Sequence, residues 1–271
     1  MYDARPIGVF DSGLGGLTVV DRICRLLPGE DIVYFGDTAR VPYGTKSKET
    51  VTKFSVENTE FLMEKDVKLV VVACNTASSL AMDFLKRCFR VPMVGVIEPG
   101  AKGAVSVTRN GRVGVIGTNA TVSSGAYERA VKKLAPGVSV FAAGCPLFVP
   151  LVEEGWTGRG VTREIARIYL APLGAKRIDT LILGCTHYPI MKDVIQAAIG
   201  AKVMLVDSAR EVAKEARIIL DAGGLLNRPG RAGKHRFYVS DEPARFVKMA
   251  QRFLKRRISC EIGRASCRER V

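Results

Sequence analysis

Short apolar runs recur along this chain, and polar stretches with helical patterning lie between them. The runs are IGVF (7–10), DIVYF (31–35), KLVVVA (68–73), PMVGVI (92–97), RVGVIG (112–117), VSVFA (138–142), TLILG (180–184) and KVMLVD (202–207). Stretches such as KETVTKFSVENTEFLMEKD (48–66) and TREIARIYLAPLG (162–174) separate them with the spacing of amphipathic helices. Strands that are apolar throughout, alternating with helices, predict parallel sheets covered on both faces. The class is α/β, doubly wound.

The runs also repeat in order. Ile7-Gly8-Val9-Phe10 corresponds to Val113-Gly114-Val115-Ile116 at an offset of 106, and Tyr34-Phe35 to Val140-Phe141 at the same offset. The strand before Cys74 corresponds to the strand before Cys185 at 111, and VGVIE (94–98) to VMLVD (203–207) at 109. Four elements in one order at a nearly constant offset predict two similar parallel-sheet units related by a pseudo-twofold.

In such folds ligands sit beyond the carboxyl ends of the strands, so the residues just after each run carry the chemistry. In the first unit these are Asp11-Ser12-Gly13, Gly36-Asp37-Thr38, Cys74-Asn75-Thr76 and Glu98-Pro99; in the second, Gly117-Thr118-Asn119, Gly144-Cys145-Pro146 and Cys185-Thr186-His187. Units that face each other would bring Cys74 and Cys185 to opposite walls of one cleft. Two facing thiols can form a redox disulfide, ligate a metal, or act as acid and base on opposite faces of a substrate. The last use suits a thiol whose ordinary pKa of about 8.5 is readily tuned. Each cysteine also precedes a predicted helix start, where backbone amides favour negative charge.

Composition narrows the classes. Hydrophobic residues make up 47% and charged residues 25% of 271 positions, the mix of a globular protein. No apolar run reaches membrane-span length, and the N-terminus MYDARPIGVFDSG has no signal-peptide pattern, so a cytoplasmic location is expected. Seven cysteines without a paired framework read as reduced thiols. Only two histidines accompany them, which argues against a metal site. Much of the net charge of +14 lies after residue 227, not interleaved with aromatics as a recognisable nucleic-acid module, and reads as a basic surface.

The flanking residues suit a small acid. DSGLGG (11–16) is a glycine-rich strand-to-helix turn bearing a carboxylate and a hydroxyl, and DTARVPYGTKS (37–47) is a loop able to close over a ligand. Asn75, Thr76, Thr118, Thr121 and Thr186 offer neutral donors, although such residues also serve as helix caps. His187, two residues past Cys185, is placed to orient that thiol. Glu153, from the residues alone, is a solvated charge.

Together GVFDSGLGGLTV, YFGDTARVPYG, ACNTAS, GVIGTNATVSSGAY, CPLFVPLVEEG and LGCTHYP resemble the glutamate racemases of the aspartate/glutamate racemase superfamily, over about residues 6–254. The resemblance implies cofactor-independent interconversion of L- and D-glutamate for peptidoglycan synthesis, hence cell-wall biogenesis and cell shape, by an enzyme expected to be a homodimer. It implies Cys74 and Cys185 as the acid/base pair, with Asp11, His187 and Glu153 assisting. It assigns substrate contacts to Asp11, Ser12, Tyr43, Gly44, Asn75, Thr76, Thr118, Thr186 and His187, and no metal. The implied domains are 1–97 with 208–258, and 98–207. A racemase or decarboxylase of another acid such as aspartate is the alternative within this architecture, and a basic nucleic-acid-binding protein is the alternative outside it. Helical patterning runs through ARFVKMAQRFLKR (244–256). EIGRASCRERV (261–271) then resembles a translated sequencing adaptor, a non-native tail expected to pack against nothing.

Overall fold

A computed structural model describes residues 2–254 and 261–262. In chain order its elements are β1 (Ile7–Asp11), α1 (Leu17–Leu26), β2 (Ile32–Gly36), α2 (Lys48–Met63), β3 (Leu69–Val72), α3 (Asn75–Leu80), α4 (Met82–Cys88), β4 (Met93–Gly95) and α5 (Ile97–Val107). There follow β5 (Arg112–Gly117), α6 (Asn119–Ser123), α7 (Ala126–Leu134), β6 (Ser139–Gly144), α8 (Phe148–Glu153), α9 (Gly160–Ala175), β7 (Thr180–Gly184), α10 (Lys192–Ile199) and β8 (Met204–Asp207). The chain continues with α11 (Ser208–Ala222), β9 (His235–Val239), α12 (Pro243–Leu254) and β10 (Glu261–Ile262).

Two sheets form, in the orders β10-β9-β2-β1-β3-β4 and β6-β5-β7-β8, with every pairing parallel. The predicted repeat is visible in that order, since β2-β1-β3-β4 and β6-β5-β7-β8 are the same winding. The central strands β1, β3 and β7 are buried along their whole length, as all-apolar sequences require. Strands β6 and β8 are half-exposed edges instead. PMVGVI is strand only through Gly95, because Ile97 already begins α5.

The run HRFYV forms β9, which the sequence pattern left inside a basic surface. Its last three residues alone are buried, so its polar first half hides the signal. The expectation that 261–271 packs against nothing fails at its start: Glu261 and Ile262 pair with Tyr238 and Val239. The remainder of that segment lies outside the described residues.

The sheets are joined by helices rather than by a linker. α5 packs on α7 and α11, and α11 in turn packs on α1. The largest apolar cluster therefore runs from Ile7, Val9 and Leu69 of the first sheet to Val113, Val115 and Ile182 of the second. The chain crosses between sheets at the start of α5 and again at the start of α11, a double crossing that suits a hinge.

One buried ion pair ties the amino-terminal end of the first sheet. Lys68 Nζ lies 2.6 Å from Glu30 Oε2, with side chains 0% and 3% exposed, and donates to the Asp3 carbonyl at 2.6 Å. Glu30 Oε1 accepts the Asn227 amide at 2.7 Å, which holds the segment before β9 against β2. Removing one partner strands the other charge in the core, at a cost of about 3–5 kcal/mol. Lys68→Met is expected to lose about that much in urea denaturation; a loss below about 1 kcal/mol would contradict this role.

Candidate active site

The carboxyl ends of β1 and β3 face those of β5 and β7 across a narrow cleft. Ser12, Tyr43, Gly44, Cys74, Asn75, Thr76, Thr118, Glu153, Cys185, Thr186 and His187 all line it, together with Val41, Pro42 and Val149. Asp11 lies just beneath, fully buried, and accepts hydrogen bonds from Gly13 N at 3.1 Å and from the Thr186 hydroxyl at 3.4 Å. Thus every residue expected at the site comes to one place. The thiols arrive from different units, as the repeat requires.

The two sulfurs meet different surroundings. Cys74 caps α3, its sulfur accepting from Ala77 N at 3.5 Å, and lies 3.6 Å from the Ser12 hydroxyl. Burial, with the nearby Asp11 carboxyl, pushes the Cys74 thiol up to about 12. Asp11 is itself raised by burial, against the opposing charge of His187 and the amides of Gly16, Gly13 and Ser12. Cys185 instead has His187 Nδ1 at 3.8 Å, and His187 Nε2 lies 3.2 Å from Glu153 Oε1. Burial alone would disfavour an imidazolium there, but Cys185 and Glu153 outweigh it and raise His187 to about 10. Glu153, a solvated charge by the residues alone, is thereby fixed at the end of α8 as the partner of a cationic ring.

The cavity has a volume of about 20 Å³. That is room for one water, at roughly 10–15 Å³ each, and too little for an amino acid. Substrate-sized ligands therefore enter only when the two walls part. The 37–47 loop, expected to act as a cover, is firmly anchored. Asp37 accepts from Arg40 Nε at 2.7 Å, from Ser240 Oγ at 3.0 Å and from the Tyr43 hydroxyl. Arg40 also pairs with Glu57, and Asn58 donates to Tyr43 Oη at 3.0 Å. With its hydroxyl so committed, Tyr43 offers the cleft its ring and backbone. Opening by a hinge at α5 and α11 fits these bonds better than loop motion does.

Contacts across the cleft hold it shut. The Thr76 and Thr118 hydroxyls are 3.0 Å apart, and Thr121 completes a triangle at 3.3 and 3.0 Å. Two glycines permit the approach. A Cβ at Gly15 would lie 2.1 Å from Thr186 Oγ1 and 2.8 Å from His187 Nδ1, and one at Gly44 would lie 2.5 Å from Thr118 Cβ. Sequence reading gave Gly15 no role, because its constraint comes from a partner 171 residues away. Among the described residues no group of three or more His, Cys, Asp or Glu is placed to hold a metal ion, and no helix is long and apolar enough to cross a membrane.

The sequence profile of the Asp/Glu/Hydantoin racemase family matches residues 7–216. The chain belongs to that family. A glutamate racemase from Geobacter metallireducens is 55% identical over 250 residues, 92% of this chain and 93% of that protein. Among solved structures, glutamate racemase isoform RacE1 from Bacillus anthracis superposes with a TM-score of 0.93 at 40% identity, covering 96% of this chain and 97% of that one. The Francisella tularensis glutamate racemase in complex with D-glutamate gives 0.90 at 39% identity, covering 97% and 98%. The two facing parallel sheets are the architecture of this racemase family.

Two outcomes follow from the geometry. Gly15→Ala holds the walls apart, and misplacement by about 1 Å is expected to cost on the order of 10²-fold in turnover; turnover within twofold of wild type would contradict the close approach. With only two histidines in the chain, ring-proton NMR resolves His187, expected to titrate near 10 and to fall when Glu153→Gln removes the anion. Because the folded value lies above the ordinary 6.5, the stabilisation is complete below about pH 6.5 and is lost as pH rises through about 10. A His187 midpoint at or below 7 would contradict the arrangement.

Proposed function

We propose that this chain interconverts L- and D-glutamate by proton transfer at Cα between Cys74 and Cys185, without an added cofactor. The observation that carries the reading is two buried cysteines, one from each half of a repeated fold, lining one cleft. One sulfur, as thiolate, takes the Cα proton; the other, as thiol, delivers its own proton to the opposite face of the planar carbanion. One proton leaves carbon and one returns, so the stereocentre inverts and the two sulfurs exchange protonation states. The reverse turnover restores them.

The surroundings support this division. Cys74, held as a thiol by burial and Asp11, suits the donor, while Cys185 faces the His187–Glu153 pair. Ser12, Gly44, Asn75, Thr76, Thr118 and Thr186 supply neutral donors for carboxylates, with the Asp11 carboxyl beneath the site, cationic His187 beside Cys185 and the Tyr43 ring on the wall. Excluding water from the cleft strengthens each of these interactions in the transition state. The names of the relatives favour glutamate over aspartate. On the same reading residues 1–97 with 208–258 form one domain and 98–207 the other. The enzyme works in the cytoplasm as a homodimer, and D-glutamate supplies peptidoglycan synthesis.

Incubation with L-glutamate in deuterated water, with a chelator and no added cofactor, is expected to yield D-glutamate carrying deuterium at Cα. Failure to racemise, or preferential turnover of aspartate, would overturn the assignment. Cys74→Ala and Cys185→Ala are each expected to lose at least about 10²–10⁴-fold in racemisation with an unchanged circular dichroism spectrum. Substantial racemisation by either variant would rule out a two-thiol mechanism.

A further inference from the structure

Tyr127 lies outside the set of residues assigned to the site, yet it is buried at 3% exposure against that set. It belongs to α7, in the second unit. Its hydroxyl donates to Asn75 Oδ1 at 2.7 Å, and lies 3.2 Å from Ser208 Oγ. Asn75 is the first residue of α3 in the first unit, directly after Cys74, and lines the cleft. Ser208 begins α11, where the chain crosses back between sheets. α5, which begins at the other crossing, packs against the same point: a Cβ at Gly100 would lie 2.6 Å from Ser208 Oγ and 3.1 Å from the Tyr127 ring. One phenol thus touches the second unit, the hinge and a cleft-lining amide of the first.

Resting on the glutamate reading above, we propose that Tyr127 is a positioning residue. It fixes the Asn75 side-chain amide so that its N–H donors face the substrate carboxylate. An amide has one acceptor oxygen and one donor nitrogen, and the end it offers a ligand depends on what holds the other end. A hydroxyl donating to Oδ1 leaves the Nδ2 hydrogens for the cleft. Burial raises the Tyr127 hydroxyl above its ordinary range, so it remains a donor at any pH the enzyme meets. The phenol touches no reacting atom, so its effect belongs to binding. Because the bond also joins the two units, the amide is oriented only when the cleft is closed.

The test is Tyr127→Phe, which removes one oxygen and keeps the ring. Free rotation of the Asn75 amide is expected to raise KM for both glutamate enantiomers about 5- to 10-fold, the scale of one lost hydrogen bond, with kcat within about twofold. In an Asn75→Ala background the same substitution is expected to leave KM unchanged, since no amide remains to be oriented. An unchanged KM in the single variant, a fall in kcat at constant KM, or a full effect persisting without Asn75 would each overturn the proposal. The wild-type control separates the two readings. No glutamate turnover by wild type contradicts the proposed function, whereas turnover with an unaffected Tyr127→Phe contradicts the positioning role alone.

Discussion

Each wall of the cleft is desolvated by the other, and the chemistry of the site depends on that mutual burial. Asp11, Cys74, Asn75, Thr76, Cys185, Thr186 and His187 are all buried, although they stand at strand ends where an isolated α/β unit would be open to water. Burial with the nearby Asp11 lifts the Cys74 thiol, and Cys185 and Glu153 hold the buried His187 as an imidazolium. The contacts that close the cleft are short and specific. They are the threonine triangle, Thr186 on Asp11, Tyr127 on Asn75, and two glycines without which the walls could not meet. The cavity they leave is about 20 Å³, too small for an amino acid.

Duplication supplies the symmetry of the site, and sequence divergence supplies its asymmetry. The same winding delivers a cysteine after the third strand of each unit, so two sulfurs face each other without further design. The residues around them differ. The first has a carboxyl and a hydroxyl beneath it, and the second has a cationic ring held by a glutamate from α8. A donor on one face and a pair stabilised by positive charge on the other is an arrangement suited to moving one proton through a planar intermediate.

Strands β1 to β8 were legible because continuous apolar runs admit few other readings, and the repeat was legible because βα units keep their order. Strand-end residues such as Cys74, Thr118 and Cys185 followed from the rule that such folds bind ligands there. What stayed hidden depended on distant partners. β9 opens with His235 and Arg236, which look like surface. Glu153 reads as solvated until His187 is seen beside it. Tyr127 lies within a motif with no chemistry of its own, and its role appears only where α7 meets α3 and α11. The loop at 37–47 looked able to close from its one glycine and one proline, whereas Asp37, Arg40 and Asn58 anchor it.

The central claim is that the two thiols address opposite faces of one carbon, and single-thiol variants test it most directly. Cys74→Ala and Cys185→Ala are each offered L- and D-glutamate separately in deuterated water, and loss of the Cα proton signal is followed by NMR. The account predicts that each variant exchanges the Cα proton of one enantiomer only, and that the two variants select opposite enantiomers. Exchange of the same enantiomer by both variants, or of both enantiomers by either, would contradict it.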